Sequence, residues 1–255
     1  MTVSATSSTF DDLFSQWERQ QAAYVAYRQN RFQVMLDVLA LHCPPDPTVL
    51  DLACGPGPIA DLVLRRFPGA RAVAADHDPV LTRIARSVLA RHEERATVVE
   101  TDLVSADWAS ALPAWTFDAV LSSTALHWLS PGQLLAVYTE LARLLPPGAV
   151  LLNADHLRFE DDRPTLRRLS ADHDAAVQRE AFTDGAVTWE QWWDLAARHP
   201  ELAALLPERE RRFADRPPQP PASLEFHLAA LRTAGFTEVG TVWQYLDDYV
   251  VFARR

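Results

Sequence analysis

The sequence predicts an α/β protein built on a doubly wound parallel sheet whose last strand is antiparallel. Three observations carry this. Strand-like and helix-like segments alternate from residue 48 to residue 153. The strand-like runs are apolar almost throughout, the pattern of parallel strands covered on both faces rather than of strands with one wet side. The chain closes with two β-rich runs around a short acidic turn, which marks an antiparallel hairpin at a sheet edge. Five strands plus this hairpin make seven.

In chain order, Phe10 to Leu41 has helical spacing with few breakers and one expected interruption; Pro44, Pro45 and Pro47 end it, so residues 1–45 form a helical cap. Thr48 to Ala53 is the first strand and Pro58 to Phe67 a helix. Arg71 to Ala75 and Ala96 to Glu100 are strands two and three, separated by a helix from Pro79 to about Arg91. Phe117 to Ser122 is the fourth strand, with Asp118 at its start; Leu134 to Leu145 is a helix, and Ala149 to Asn153 the fifth strand. Residues 157–221 then read as a helical insertion containing Trp189, Trp192 and Trp193, ending in the stiff run Pro217-Pro218-Gln219-Pro220-Pro221. A helix from Ala222 to Thr233 leads into the hairpin, Thr237 to Tyr245 and Tyr249 to Ala253, turning at Asp247-Asp248. The whole reads as one domain.

Composition narrows the function. At 255 residues and 48% hydrophobic, the chain buries one substantial core. No apolar run is long enough to cross a bilayer, and Met1 to Thr9 lacks the basic and apolar blocks of a signal peptide. With Cys43 and Cys54 as the only cysteines, no disulfide framework is indicated and a reducing cytoplasm is expected. A net charge of −10 argues against phosphate-backbone binding, so no nucleic-acid partner is expected. All 24 basic residues are Arg, which excludes lysine Schiff-base chemistry and a Walker-type lysine.

The informative stretch is Val49-Leu50-Asp51-Leu52-Ala53-Cys54-Gly55-Pro56-Gly57-Pro58, where a strand runs into two glycines and then a helix. Glycines at such a corner admit a ligand to the backbone. Gly55-x-Gly57-x-x-Ala60, with Asp76 about 20 residues on, also satisfies the looser dinucleotide fingerprint. Charge separates the two readings. A dinucleotide brings a pyrophosphate, which carboxylates repel. Asp51, Asp76 and Asp102 at successive strand ends instead suit a cationic, phosphate-free nucleoside.

On these motifs the sequence resembles the class I S-adenosylmethionine-dependent methyltransferases, whose fold is Rossmann-like. Val49 to Gly57 looks like their first motif, Ala74-Ala75-Asp76-His77-Asp78-Pro79 their second, and Glu100-Thr101-Asp102-Leu103 their third. Ala125-Leu126-His127-Trp128 looks like the small-molecule branch that includes trans-aconitate-type and natural-product enzymes. The resemblance implies S-adenosyl-L-methionine as cofactor. It places Asp51, Ala53, Gly55, Pro56 and Gly57 near the methionine part, Asp76 at the ribose, Asp102 and Leu103 at the adenine, and His77 in the same cofactor pocket. Ser122, Ser123 and His127 complete that pocket. Pro58 stands where many relatives keep a third glycine, and Pro is compatible with a helix start.

For the acceptor, His127 after the fourth strand and His156 after the fifth are candidate bases, although pocket-shaping serves His127 equally well. Trp17, Tyr24 and Arg28, with Arg31, are spaced by seven, four and three, which places them on one helix face; packing and pocket are balanced readings. Trp189 and Trp193 share a face, with Trp192 expected to pack elsewhere, and are further candidates for the substrate pocket. No metal is expected, because Ser122 and Ser123 stand where a metal-dependent enzyme needs a ligand to match Asp155. The partner is thus a small-molecule substrate, with the protein a monomer or homodimer. Two alternatives stay open: a repurposed member, cyclase-like or non-catalytic, and an NAD-dependent oxidoreductase.

Overall fold

A computed structural model describes residues 9–216 and 222–255. Its strands are β1 (Thr48–Leu52), β2 (Arg71–Asp76), β3 (Ala96–Glu100), β4 (Ala119–Ser123), β5 (Val150–His156), β6 (Glu238–Tyr245) and β7 (Asp248–Arg254), in one sheet ordered β3-β2-β1-β4-β5-β7-β6. The first five are mutually parallel, and β7 lies antiparallel to both β5 and β6. Strand order reverses between β1 and β4, and ligands of such sheets bind outside the carboxyl ends at that point.

The helices are α1 (Phe10–Tyr24), α2 (Arg28–His42), α3 (Pro58–Arg66), α4 (Pro79–Leu89), α5 (Pro131–Leu144), α6 (Pro164–Thr183), α7 (Trp189–Ala197), α8 (Pro200–Ala203), α9 (Leu206–Phe213) and α10 (Leu224–Ala234). Alternate strand residues feed two cores. Leu50, Val120 and Leu151 pack with Val137, Leu141 and Leu231 of α5 and α10, while Val49, Leu121 and Leu152 pack with Met35, Leu39 and Val63 of α2 and α3. Both faces being buried is why these strands carry no polar alternation. A third cluster, including Leu13, Trp17, Ile84, Trp192 and Leu202, ties α1 and the insertion to α4.

Several boundaries differ from the sequence reading for local reasons. α5 begins at Pro131, where Ser130 and Gln133 form a capping box. β4 starts after Asp118, whose carboxylate accepts the Thr48 N–H at 2.8 Å. β5 extends to His156 because β7 pairs with it as far as Asp248, which is a strand residue rather than part of the turn. The N-terminal helix breaks at Val25 to Tyr27, with Tyr27 at φ 53°. Trp17 and Tyr24 therefore belong to α1, Arg28 and Arg31 to α2, and the single-face stripe expected of them does not form. The proline-rich run at 217–221 lies outside the described residues.

Candidate active site

β1 leads into a corner where three residues adopt left-handed backbone: Ala53 at φ 55°, Gly55 at φ 55° and Gly57 at φ 87°. At Gly57 the conformation selects glycine, and a Cβ there would lie 3.1 Å from Leu89 Cδ1, so that side chain would have to shift slightly. Thr124, just past β4, sits at φ 50°, an unfavourable place for a β-branched residue. Strained non-glycine backbone thus stands on both sides of the β1/β4 switch point, where such strain accompanies ligand sites.

Asp76 closes the corner. One carboxylate oxygen accepts the Gly55 N–H at 2.7 Å and the other the Asp78 N–H at 2.8 Å. Burial pushes its pKa up to about 6, against those two hydrogen bonds. Asp51 departs from the expected row of rim carboxylates. It is 1% exposed, lies beneath the loop and accepts the Ala60 N–H at 3.0 Å, and burial pushes its pKa up to about 7. Its neighbour Pro56 is buried too. The acidic rim is therefore carried by Asp76 and Asp102.

Ser122 Oγ, Ser123 Oγ and His77 Nε2 have no hydrogen-bond partner among the described residues, although each is buried from solvent. Unsatisfied buried polar atoms are uncommon, and these line the carboxyl ends of β2 and β4. With the Asp76 carboxylate and the open glycine backbone they fit a polar, phosphate-free nucleoside.

The insertion meets this edge through α9 and the residues after it. Arg209 Nε lies 2.6 Å from Asp78 Oδ2, Arg212 donates to the His77 carbonyl at 2.7 Å and to Glu100 at 3.1 Å, and Arg216 pairs with Asp102. The Phe213 and His77 rings stand 5.4 Å apart, and Leu103 packs toward the core. On the opposite side the Trp17 ring lies 3.7 Å from where a Gly55 Cβ would stand. Trp17 contacts both Trp189 (5.6 Å) and Trp192 (4.8 Å). Trp192 does not pack apart from its neighbours. It is fully buried at the centre of the cluster and donates its indole N–H to Leu13 at 3.0 Å, because α7 turns 192 and 196 inward. Trp193 lies under the Arg209 guanidinium. The Tyr24 hydroxyl accepts the Trp189 N–H at 3.2 Å, and Arg28 makes a two-pronged pair with Glu18 at 2.8 Å.

The end of β5 brings together two histidine–aspartate pairs that sequence reading did not assemble. Asp155, fully buried, accepts from His127 Nδ1 at 2.7 Å and from the His127 backbone N–H at 3.1 Å. Burial lowers the His127 pKa, but the Asp155 charge and hydrogen bond outweigh it and leave it raised. On the other side of the strand His156 Nδ1 sits against Asp248, which also holds the buried Arg31 guanidinium at 2.6 Å. The adjacent Asp155-His156 was the available signal. Its partners come from the turn after β4 and from β7, and no local spacing reveals them.

Residues 49–148 match the family model described as a methyltransferase domain. The chain is 35% identical over 137 residues to a trans-aconitate 2-methyltransferase of Azoarcus sp. (strain BH72), covering 53% of this chain and 49% of that protein. The chain spans about half the length of this curated relative. It is 26% identical over 208 residues to a carboxy-S-adenosyl-L-methionine synthase of Ectopseudomonas mendocina, covering 80% of this chain and 74% of the relative. A solved O-methyltransferase family protein from Burkholderia thailandensis has the same fold, with a TM-score of 0.56 at 21% identity, over 95% of this chain and 68% of that one. Over the stretch that carries the glycine fingerprint, residues 49–148, the chain therefore matches a methyltransferase domain, in a fold that a solved O-methyltransferase family protein shares.

Proposed function

We propose that this protein transfers a methyl group from S-adenosylmethionine to a small-molecule acceptor of the natural-product kind. The observation that carries the reading is the half-buried Asp76 carboxylate beside Gly55 at the strand-order switch, placed to accept ribose hydroxyls within the stretch that matches a methyltransferase domain. The bound cofactor supplies an electrophilic methyl group on a sulfonium leaving group. The chain's own part is positioning and exclusion of water. In this reading Gly55 and Gly57 leave room for the methionine part, Asp76 takes the ribose, and His77 with Asp102 flanks the adenine. α1, α7 and α9 cover the carboxyl edge, and such a cover encloses a small acceptor more readily than a macromolecule. No described helix is long and apolar enough to cross a membrane. We place the protein in the cytoplasm, as a monomer or homodimer.

Isothermal titration with S-adenosylmethionine, S-adenosylhomocysteine and NAD⁺ tests the cofactor. One-to-one binding of the first two and none of the third is expected; binding of NAD⁺ alone sinks the proposal. A second reading, in which the nucleoside is bound but is not a methyl donor, is favoured by the match to a carboxy-S-adenosyl-L-methionine synthase. Appearance of S-adenosylhomocysteine with a methylated acceptor decides against it.

A further inference from the structure

We infer that α9 is a strap latched by charge over the adenine end of the cofactor site. It releases the ends of β2 and β3 to admit S-adenosylmethionine, closes over it, and releases them again before S-adenosylhomocysteine leaves. This rests on the cofactor reading and deepens it, by assigning the route in and out.

The site is covered in two chemically different ways. On the α1 side the cover is apolar and deep. Leu13, Trp17, Ile84, Trp192 and Leu202 are buried together, and Trp192 donates its indole N–H to the Leu13 carbonyl at 3.0 Å. Parting that face would bring each of these side chains into water. α9, in contrast, buries none of its residues. Ion pairs hold it instead: Arg209 on Asp78 at 2.6 Å, Arg212 on Glu100 at 3.1 Å and on the His77 carbonyl at 2.7 Å, and Arg216, just past the helix, on Asp102. The three arginine side chains stay 20–33% exposed. Water and salt reach them, so these contacts break and re-form easily. An element held in this way opens locally at less cost than a packed core.

The two ends of α9 differ as well. Leu205 and Leu206, at its start, pack against the apolar cluster, so this end is a tether. Arg212, Phe213 and Arg216 form the latch at the other end. The latch falls on the residues that flank the adenine in the cofactor reading: Arg216 holds Asp102, and the Phe213 ring stands 5.4 Å from that of His77. Closed over an adenine, α9 adds apolar contact that the open form lacks, so bound ligand favours the closed form.

The test uses the full chain and S-adenosylhomocysteine, with association and dissociation followed by stopped-flow tryptophan fluorescence. Arg212→Ala combined with Arg216→Ala should speed dissociation roughly three- to thirtyfold, the range expected for two exposed pairs. Raised salt should speed dissociation from the wild type and have a much smaller effect on the double variant. Independently of any variant, S-adenosylhomocysteine should slow hydrogen exchange in α9 of the wild type more than in α7. A folded double variant with unchanged dissociation, wild-type dissociation indifferent to salt, or α9 exchange indifferent to the ligand would each overturn the inference. Calorimetry on the same samples keeps the two failures apart. S-adenosylhomocysteine binding with unaltered kinetics overturns the strap alone, whereas absence of binding to the wild type overturns the cofactor reading beneath it.

Discussion

Asp76, the last residue of β2, reaches across the end of β1 and accepts the Gly55 N–H at 2.7 Å. The carboxylate therefore does two things: it sets the glycine corner and it presents an acceptor to whatever lies there. Asp76→Ala removes both. A charged hydrogen bond contributes about 1.5–3 kcal/mol, so S-adenosylmethionine affinity should fall on the order of 10- to 100-fold by calorimetry. Unchanged affinity would remove the ribose assignment. Asp76→Asn, which still accepts one hydrogen bond, should fall between.

The same group predicts a pH dependence. The Asp76 pKa is pushed up to about 6 by burial, and a ligand that donates hydrogen bonds to the carboxylate favours its ionised form. Protonation then opposes binding. S-adenosylmethionine should bind more tightly as pH rises through about 6 and level off above it. Dissociation constants measured from pH 5 to 8 check this, and a flat profile in the wild type would count against it.

Arg31 and Asp248 are both almost wholly buried and paired at 2.6 Å, and Arg31 Nε and Nη1 have no partner among the described residues. Removing the carboxylate strands a buried cation. Asp248→Ala should cost about 3–5 kcal/mol in urea unfolding, whereas the double replacement Arg31→Met, Asp248→Leu should cost much less. Equal losses would show that the cost lies in packing rather than in an uncompensated charge.

The α9 contacts behave differently. Arg212, Arg216 and the carboxylates of Glu100 and Asp102 are each 20–33% exposed, so each of these pairs contributes only about 0–1 kcal/mol and salt screens it. Arg212→Ala with Arg216→Ala should leave global stability nearly unchanged. Hydrogen exchange in α9 should nevertheless quicken, and raised salt should have the same effect on the wild type. Exchange indifferent to both would mean that Phe213 and Trp193 hold the helix.

The parallel sheet, its closing hairpin and the glycine corner were legible in the sequence because each rests on local pattern: apolar runs of strand length, Pro and Gly punctuation, and an acid at a strand end. So was the corner that Gly55, Gly57 and Asp76 form, because its parts lie within one strand-turn-helix-strand unit. The sequence alone also showed that no lysine chemistry is available. What tertiary structure decided is which polar groups meet. Asp51 looked like a rim carboxylate and proved to be a buried acceptor for Ala60, because side-chain direction in a strand depends on what covers each face. His127 found Asp155 across 28 residues and Arg31 found Asp248 across 217, through strand order and antiparallel pairing. Trp192 became the centre of its cluster rather than an outlier because α1 supplies the other wall. Burial then set the ionisation of these groups, and burial is a property of the packed molecule alone.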